Sequence, residues 1–132
     1  MSETILPEGW PRPRGYANGV LAEGRVLAIA GLIGWDASET IVSDDFTAQF
    51  RQALRNVVAV VEAAGGRAED LVSITVYVTD KHEYIAALSD VGAAWREVVG
   101  RHYPAMALVQ VAALLEPRAK VEIQGLAVLP GG

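Results

Sequence analysis

The sequence contains no cysteine, which excludes disulfides, thiolate nucleophiles and thiolate metal sites together. It has no run of 18 or more apolar residues, so no transmembrane span is expected. The opening residues, MSETILPEGWPRPRG, lack the basic and then apolar layout of a secretory signal, and a cytoplasmic location is expected. Basic residues are few, eleven against sixteen acids, for a net charge of −5. The densest basic spot is Arg12 and Arg14 around Pro13. Nucleic-acid binders carry a basic patch that neutralises phosphates, so neither nucleic acid nor membrane is an expected partner. His82 and His102 are the only histidines and have no carboxylate at metal-ligand spacing, which argues against a zinc site. Gly15, Gly19 and Gly24 fit neither standard phosphate loop, and no serine-hydrolase elbow or kinase signature is present. An enzyme with this composition works by positioning and acid–base chemistry.

What is present is a chain of 132 residues, the length of one ordinary domain, of which 52% are hydrophobic and 20% charged. Residues 1–15, with Pro7, Pro11 and Pro13, read as an extended arm, and residues 16–132 as a single domain. Two short apolar runs, Ala17–Ala22 and Val26–Ile33, flank Glu23-Gly24-Arg25, a hairpin signal. From Phe46 to Ala64 apolar residues recur at three- and four-residue spacing, predicting a helix capped by Asp44 or Asp45 and stopped by Gly65-Gly66. Leu71–Thr79 alternates as a half-buried strand. Lys81–Val99 reads as a second helix, and Met106–Leu114 and Lys120–Leu129 as two final strands. The resulting order, β-β-α-β-α-β-β, is an α+β mixed sheet. Right-handed crossovers would put both helices on one of its faces. The last strands are apolar on both faces, so a second copy of the chain is expected to cover the open side.

Glu122, inside VEIQGLAV, is the most informative acid. A carboxylate within an apolar strand costs free energy unless it is paired or reaches water. Such a group suits general acid–base work, and pairing with a neighbouring subunit is the equally weighted alternative. Tyr16 could present a hydroxyl to a ligand or anchor the arm. Trp35 could rim a pocket or pack a loop. Methionine is a common gap-filler, so Met106 reads first as core.

The element order, with NGVLAEGRVLAIAGLIGWD, the helix ending EAAGG, ITVYVTD, YPAMALVQV and the closing VEIQGLAV, resembles the YjgF/RidA family, the reactive-intermediate (enamine/imine) deaminases. The resemblance runs from about Gly15 to Leu129. It implies a chorismate-mutase-like fold, a homotrimer with a small-molecule cleft at each subunit interface, no cofactor, and hydrolysis of an enamine or imine to a carbonyl compound and ammonia. Glu122 falls on the family's water-handling glutamate, Tyr16 on its tyrosine, and Gly31 on the glycine whose backbone approaches the ligand. The departures lie at Met106, where the family has the arginine that clamps the substrate carboxylate, at Leu108 for a cysteine, at Ala30 for a serine, and at Leu88 or Ser89 for an asparagine. Removing one partner of a buried guanidinium–carboxylate pair costs about 2–5 kcal/mol. Small 2-imino acids are therefore expected to be poor substrates, with Arg14 or Arg101 as the arginines that would reach the cleft from another direction. The readings that follow are a deaminase-like hydrolase for a larger or more apolar substrate, or a trimeric small-molecule-binding protein without turnover. A ribonuclease or translation regulator is a third, which the acidic balance disfavours.

Overall fold

The apolar spacing from Phe46 onward folds into an 18-residue helix, α1 (Phe46–Ala63). The computed structural model describes residues 2–131. The Asp45 carboxylate accepts from the Ala48 N–H at 3.0 Å and so caps α1, while Asp44 instead pairs with Arg118. The helix ends where Gly65, at φ +91°, lets the Gly65 and Gly66 N–H groups turn back onto the carbonyls of Glu62 and Val61.

Before α1 come three strands, β1 (Ser2–Ile5), β2 (Gly19–Ala22) and β3 (Arg25–Ile33). After it come β4 (Leu71–Val78), α2 (Lys81–Ala86), α3 (Leu88–Val98), β5 (Ala105–Gln110) and β6 (Val121–Leu129). The main sheet has the order β3-β6-β4-β5, parallel between β4 and β5 and antiparallel elsewhere. This is an α+β fold with a mixed sheet.

Three expectations change. The hairpin between the two early runs does not form: β3 pairs along its length with β6, while β2 pairs with β1 in a separate two-stranded ribbon. Gly24, at φ +149°, turns the chain between β2 and β3 where a Cβ would run into the Leu129 carbonyl. Within the extended arm, residues 2–5 are the strand that gives β2 its partner. The second helix is broken at Ala87 (φ −97°, ψ 10°), where neither proline nor glycine marks the change. Strand β5 stops at Gln110, and the chain then turns so that Leu114 and Ala119 pack with Ile33, Ile41 and Trp35 in a small satellite core.

The main core lies between the helices and one sheet face. Phe50, Leu54, Val57 and Val61 of α1 and Val91, Ala94 and Trp95 of α3 meet Ile74, Val76 and Val78 of β4 and Val121, Ile123, Ala127 and Leu129 of β6. Each valine, leucine, isoleucine or phenylalanine among them contributes roughly 1.5–3 kcal/mol on full burial. Among the described residues no helix lies on the opposite face, where Val26, Val109 and Leu126 remain exposed.

Gln49 is the one polar residue fully buried among the described residues. Its Nε2 donates to the carbonyls of Ser43 (2.8 Å) and Arg118 (3.0 Å), and its Oε1 accepts from the Lys120 N–H (2.8 Å). One side chain thus ties the start of α1 to the segment entering β6. Gln49→Leu keeps the volume and strands three backbone groups; at about 1 kcal/mol or more for each, urea unfolding is expected to show a loss of about 3 kcal/mol.

Candidate functional site

The sheet sorts the candidate residues by strand alternation. Met106 pairs with Ile74, and Leu108 with Val76, whose side chains point into the core beneath the helices. Glu122 pairs with Tyr77 and Ile33, one residue out of step with core-facing Ile123, and so points to the other face. Met106 and Leu108 therefore lie on the helix side of the sheet and Glu122 on the open side.

On the helix side a cavity of about 570 Å³ opens beside β5. Met106 and Leu108 form its floor and also touch the main core, so Met106 fills space and lines the cavity at once. Tyr16 borders it, held there because the Ala17 N–H donates to the Pro104 carbonyl at 3.0 Å and Ala17 bridges to Ala105. Leu88, Val91, Gly92, Trp95 and Arg96 of α3 form the facing wall at helical spacing. Tyr84 of α2 extends that stripe by one turn, edge-on to the Phe46 ring. Burial pushes the Tyr84 phenol above its ordinary value, so it faces the cavity as a neutral hydroxyl. Tyr103 stacks on Trp95 with ring centres 6.1 Å apart.

The loop into β5 is pinned from two sides. The Trp95 indole N–H donates to the His102 carbonyl at 3.0 Å, and His102 Nε2 lies 2.7 Å from the Leu71 carbonyl, which requires the Nε2–H form as donor. Pro104, fully buried, immediately precedes the strand.

On the open side, a bulge between Ile29 and Leu32 places Ala30 and Gly31 opposite a single residue of β6. A Cβ on Gly31 would overlap the Glu122 carboxylate, so the acid lies directly over the glycine. Glu122 is half-buried and, among the described residues, has no hydrogen-bond or ion-pair partner. Only part of the expected set is thus brought together in one chain. Tyr16, Met106, Leu108 and Arg14 share the cavity, while Ala30, Gly31 and Glu122 gather on the other face.

The remaining candidates lie elsewhere. Ser89 and Arg101 are exposed and do not line the cavity; Leu88 does, because helix geometry turns Ser89 about 100° away. Trp35 packs in the satellite core. Tyr84, Gly92 and Arg96 are cavity residues that sequence reasoning missed. Their signal was the four-residue spacing from Tyr84 through Leu88 and Gly92 to Arg96, with a glycine in mid-helix. Among the described residues no three His, Asp or Glu side chains gather as metal ligands, and no helix is long and apolar enough to cross a membrane.

A small α+β domain with an aromatic-lined cavity behind its sheet and an unpaired acid in front of it is the class defined so far. The chain belongs to the YjgF/RidA family: the family model described as Endoribonuclease L-PSP matches residues 11–129. It is 37% identical over 132 residues to the 2-iminobutanoate/2-iminopropanoate deaminase of Salmonella typhimurium, covering 97% of this chain and 98% of the relative. Among solved structures it is similar to a protein of unknown function of the conserved Rid family, YyfB from Yersinia pestis, with a TM-score of 0.86 at 30% identity over 97% of this chain and 98% of that one. It is also similar to E. coli TdcF with bound serine, with a TM-score of 0.70 at 30% identity over 96% and 98% of the two chains.

His102→Ala removes the ring that holds the Leu71 carbonyl. A loss of about 1–2 kcal/mol is expected in urea unfolding, together with a changed Trp95 emission as the Tyr103 stack loosens.

Proposed function

We propose that this chain is an imine or enamine deaminase-like hydrolase whose working site forms between copies of the chain in a homotrimer of chorismate-mutase-like architecture. The observation that carries the reading is the Glu122 carboxylate, lying over Gly31 on the sheet face without helices and lacking a partner among the described residues. The cavity with Tyr16, Met106 and Leu108 opens on the other side of the same sheet. A second copy bringing its Glu122 to the cavity mouth would complete an acid, a hydroxyl and an apolar floor around one substrate. The name of the Salmonella relative, a deaminase of small 2-imino acids, and family membership along nearly the whole chain support the same chemistry.

In that reaction the water oxygen bonds to the C=N carbon while Glu122 takes the water proton and returns one to nitrogen. Glu122 then carries the hydroxyl proton to nitrogen, the C–N bond breaks, ammonia leaves, and the carbon keeps oxygen as a carbonyl. An enamine first takes a proton on its β-carbon to become the imine. Tyr16 and the Gly31 backbone orient the substrate. Met106 and Leu108 favour an apolar substrate body over a small 2-imino acid.

The test uses imines generated in situ from amino acids running from small to large and apolar, with trapping to time their decay. Purified protein is expected to accelerate the larger imines. Glu122→Ala is expected to lose about 10²- to 10⁴-fold, the range for one general acid–base group. Gly31→Ala meets the far end of a flexible side chain, so the protein should fold and lose about tenfold, equivalent to ~1.4 kcal/mol, by displacing the acid. Fast turnover of 2-aminoacrylate would overturn the account of Met106. Saturable binding without any product would leave a binding protein, and a monomer in native mass spectrometry would remove the shared site.

A further inference from the structure

The chain carries five more acids than bases, yet the cavity is lined by Arg14 and Arg96 and by no aspartate or glutamate. Arg51, Arg55, Arg67, Arg118 and Lys120 each pair with an acid of the same chain. Among the described residues, Arg14 and Arg96 make no ion pair or side-chain hydrogen bond.

Arg96 is exposed, but its guanidinium does not extend straight into solvent. Its Nη1 lies 3.4 Å from where a Cβ on Gly92 would stand, so the side chain folds back along α3 over a position that has no side chain. Glycine within a helix costs roughly 1 kcal/mol relative to alanine. Here it leaves open the wall along which the guanidinium lies. An arginine near a helix C-terminus also gains from the helix dipole, and that is the plain structural account of Arg96. It does not account for the absence of any acid in a cavity of an acidic protein.

We propose that Arg96, assisted by Arg14, is the specificity residue of this cavity and selects ligands that join an apolar body to a carboxylate. The body, a branched aliphatic or aromatic group, lies on Met106 and Leu108 beneath Tyr84. The carboxylate lies at the α3 wall and is received by a guanidinium fork suited to bidentate contact. Positive charge at this cavity thus comes from its helical wall and its N-terminal rim, while the β5 floor is apolar. The volume, about 570 Å³, falls in the range of small-molecule sites and leaves room for such a body. This inference rests on the reading of the cavity as the substrate half-site and names the class of acid it takes.

The experiment is calorimetric titration of the full chain with 3-phenylpropanoate and, separately, with its neutral amide, at low salt. The acid is expected to bind about tenfold tighter than the amide or more, the scale of one charge-assisted contact. Arg96→Gln should bring the two to within about twofold, and Arg96→Lys should restore part of the preference by returning the charge without the fork. Arg55→Gln, which lies outside the cavity, should leave the preference intact. Equal binding of acid and amide by the wild type overturns the proposal, as does a preference that survives Arg96→Gln, or no binding of either probe. The imine assay reports separately: hydrolysis without an acid preference removes this inference alone, and an acid preference without hydrolysis removes only the proposed catalysis.

Discussion

Every functional feature of this chain depends on its sheet being covered by helices on one face only. Helices α1 and α3 take their apolar sides from the same face of β3, β6 and β4, where Ile74, Val76, Val121 and Ile123 are almost fully buried. Strand alternation then has no freedom left. With Ile123 inward, Glu122 must point outward, and with Met106 level with Ile74, Met106 must point inward. The same register that makes the core separates the acid from the cavity by the thickness of a sheet. In the proposed site a second copy would bring its Glu122 to the cavity mouth, which would make assembly and chemistry one structural problem.

The cavity is framed by local contacts. The parallel β4–β5 pairing leaves β5 at the sheet edge, and the edge is finished by the Ala17 bridge, which also carries Tyr16 into place. The Trp95 indole and the His102 ring fix the loop that enters β5, while Gln49 fixes the segment that enters β6. These are buried or half-buried polar contacts at strand entrances. At such points an unpaired backbone group would otherwise be left dry, at about 1–3 kcal/mol each. Side-chain positions in the floor of the cavity are therefore inherited from backbone that is held at both ends.

Charge is distributed against the average of the chain. Acids outnumber bases overall, but the cavity wall carries only arginine, and the one unpaired acid of the candidate set stands on the other face. Met106 gives the β5 floor no charge, and the positive charge at the cavity comes from Arg96 of α3 and from Arg14 in the segment before Tyr16. A cavity of this kind separates an apolar floor from a charged rim, which is the layout that distinguishes amphipathic acids from small polar ones.

Much of this was legible in the sequence. The spacing of Phe46, Phe50, Leu54, Val57 and Val61 determined α1, and the alternation of Val72–Val78 and Val121–Leu129 determined two central strands, because burial of one face imposes its period on the chain. The oddity of Glu122 was legible too, since an acid breaks the apolar pattern of its strand, whereas Met106 read as core and only the family resemblance marked it. Pairing was not: that β2 joins β1 and β3 joins β6 depends on long-range registers no local pattern encodes. Nor could the sequence say that Arg96 and not Arg101 reaches the cavity. The chain breaks its helix at Ala87, and α3 then turns Leu88, Gly92 and Arg96 toward the cavity. The sequence by itself determined which faces of its main helix and central strands are buried. Only the tertiary structure decided which of them meet, because a contact between distant residues is a property of packing and not of periodicity.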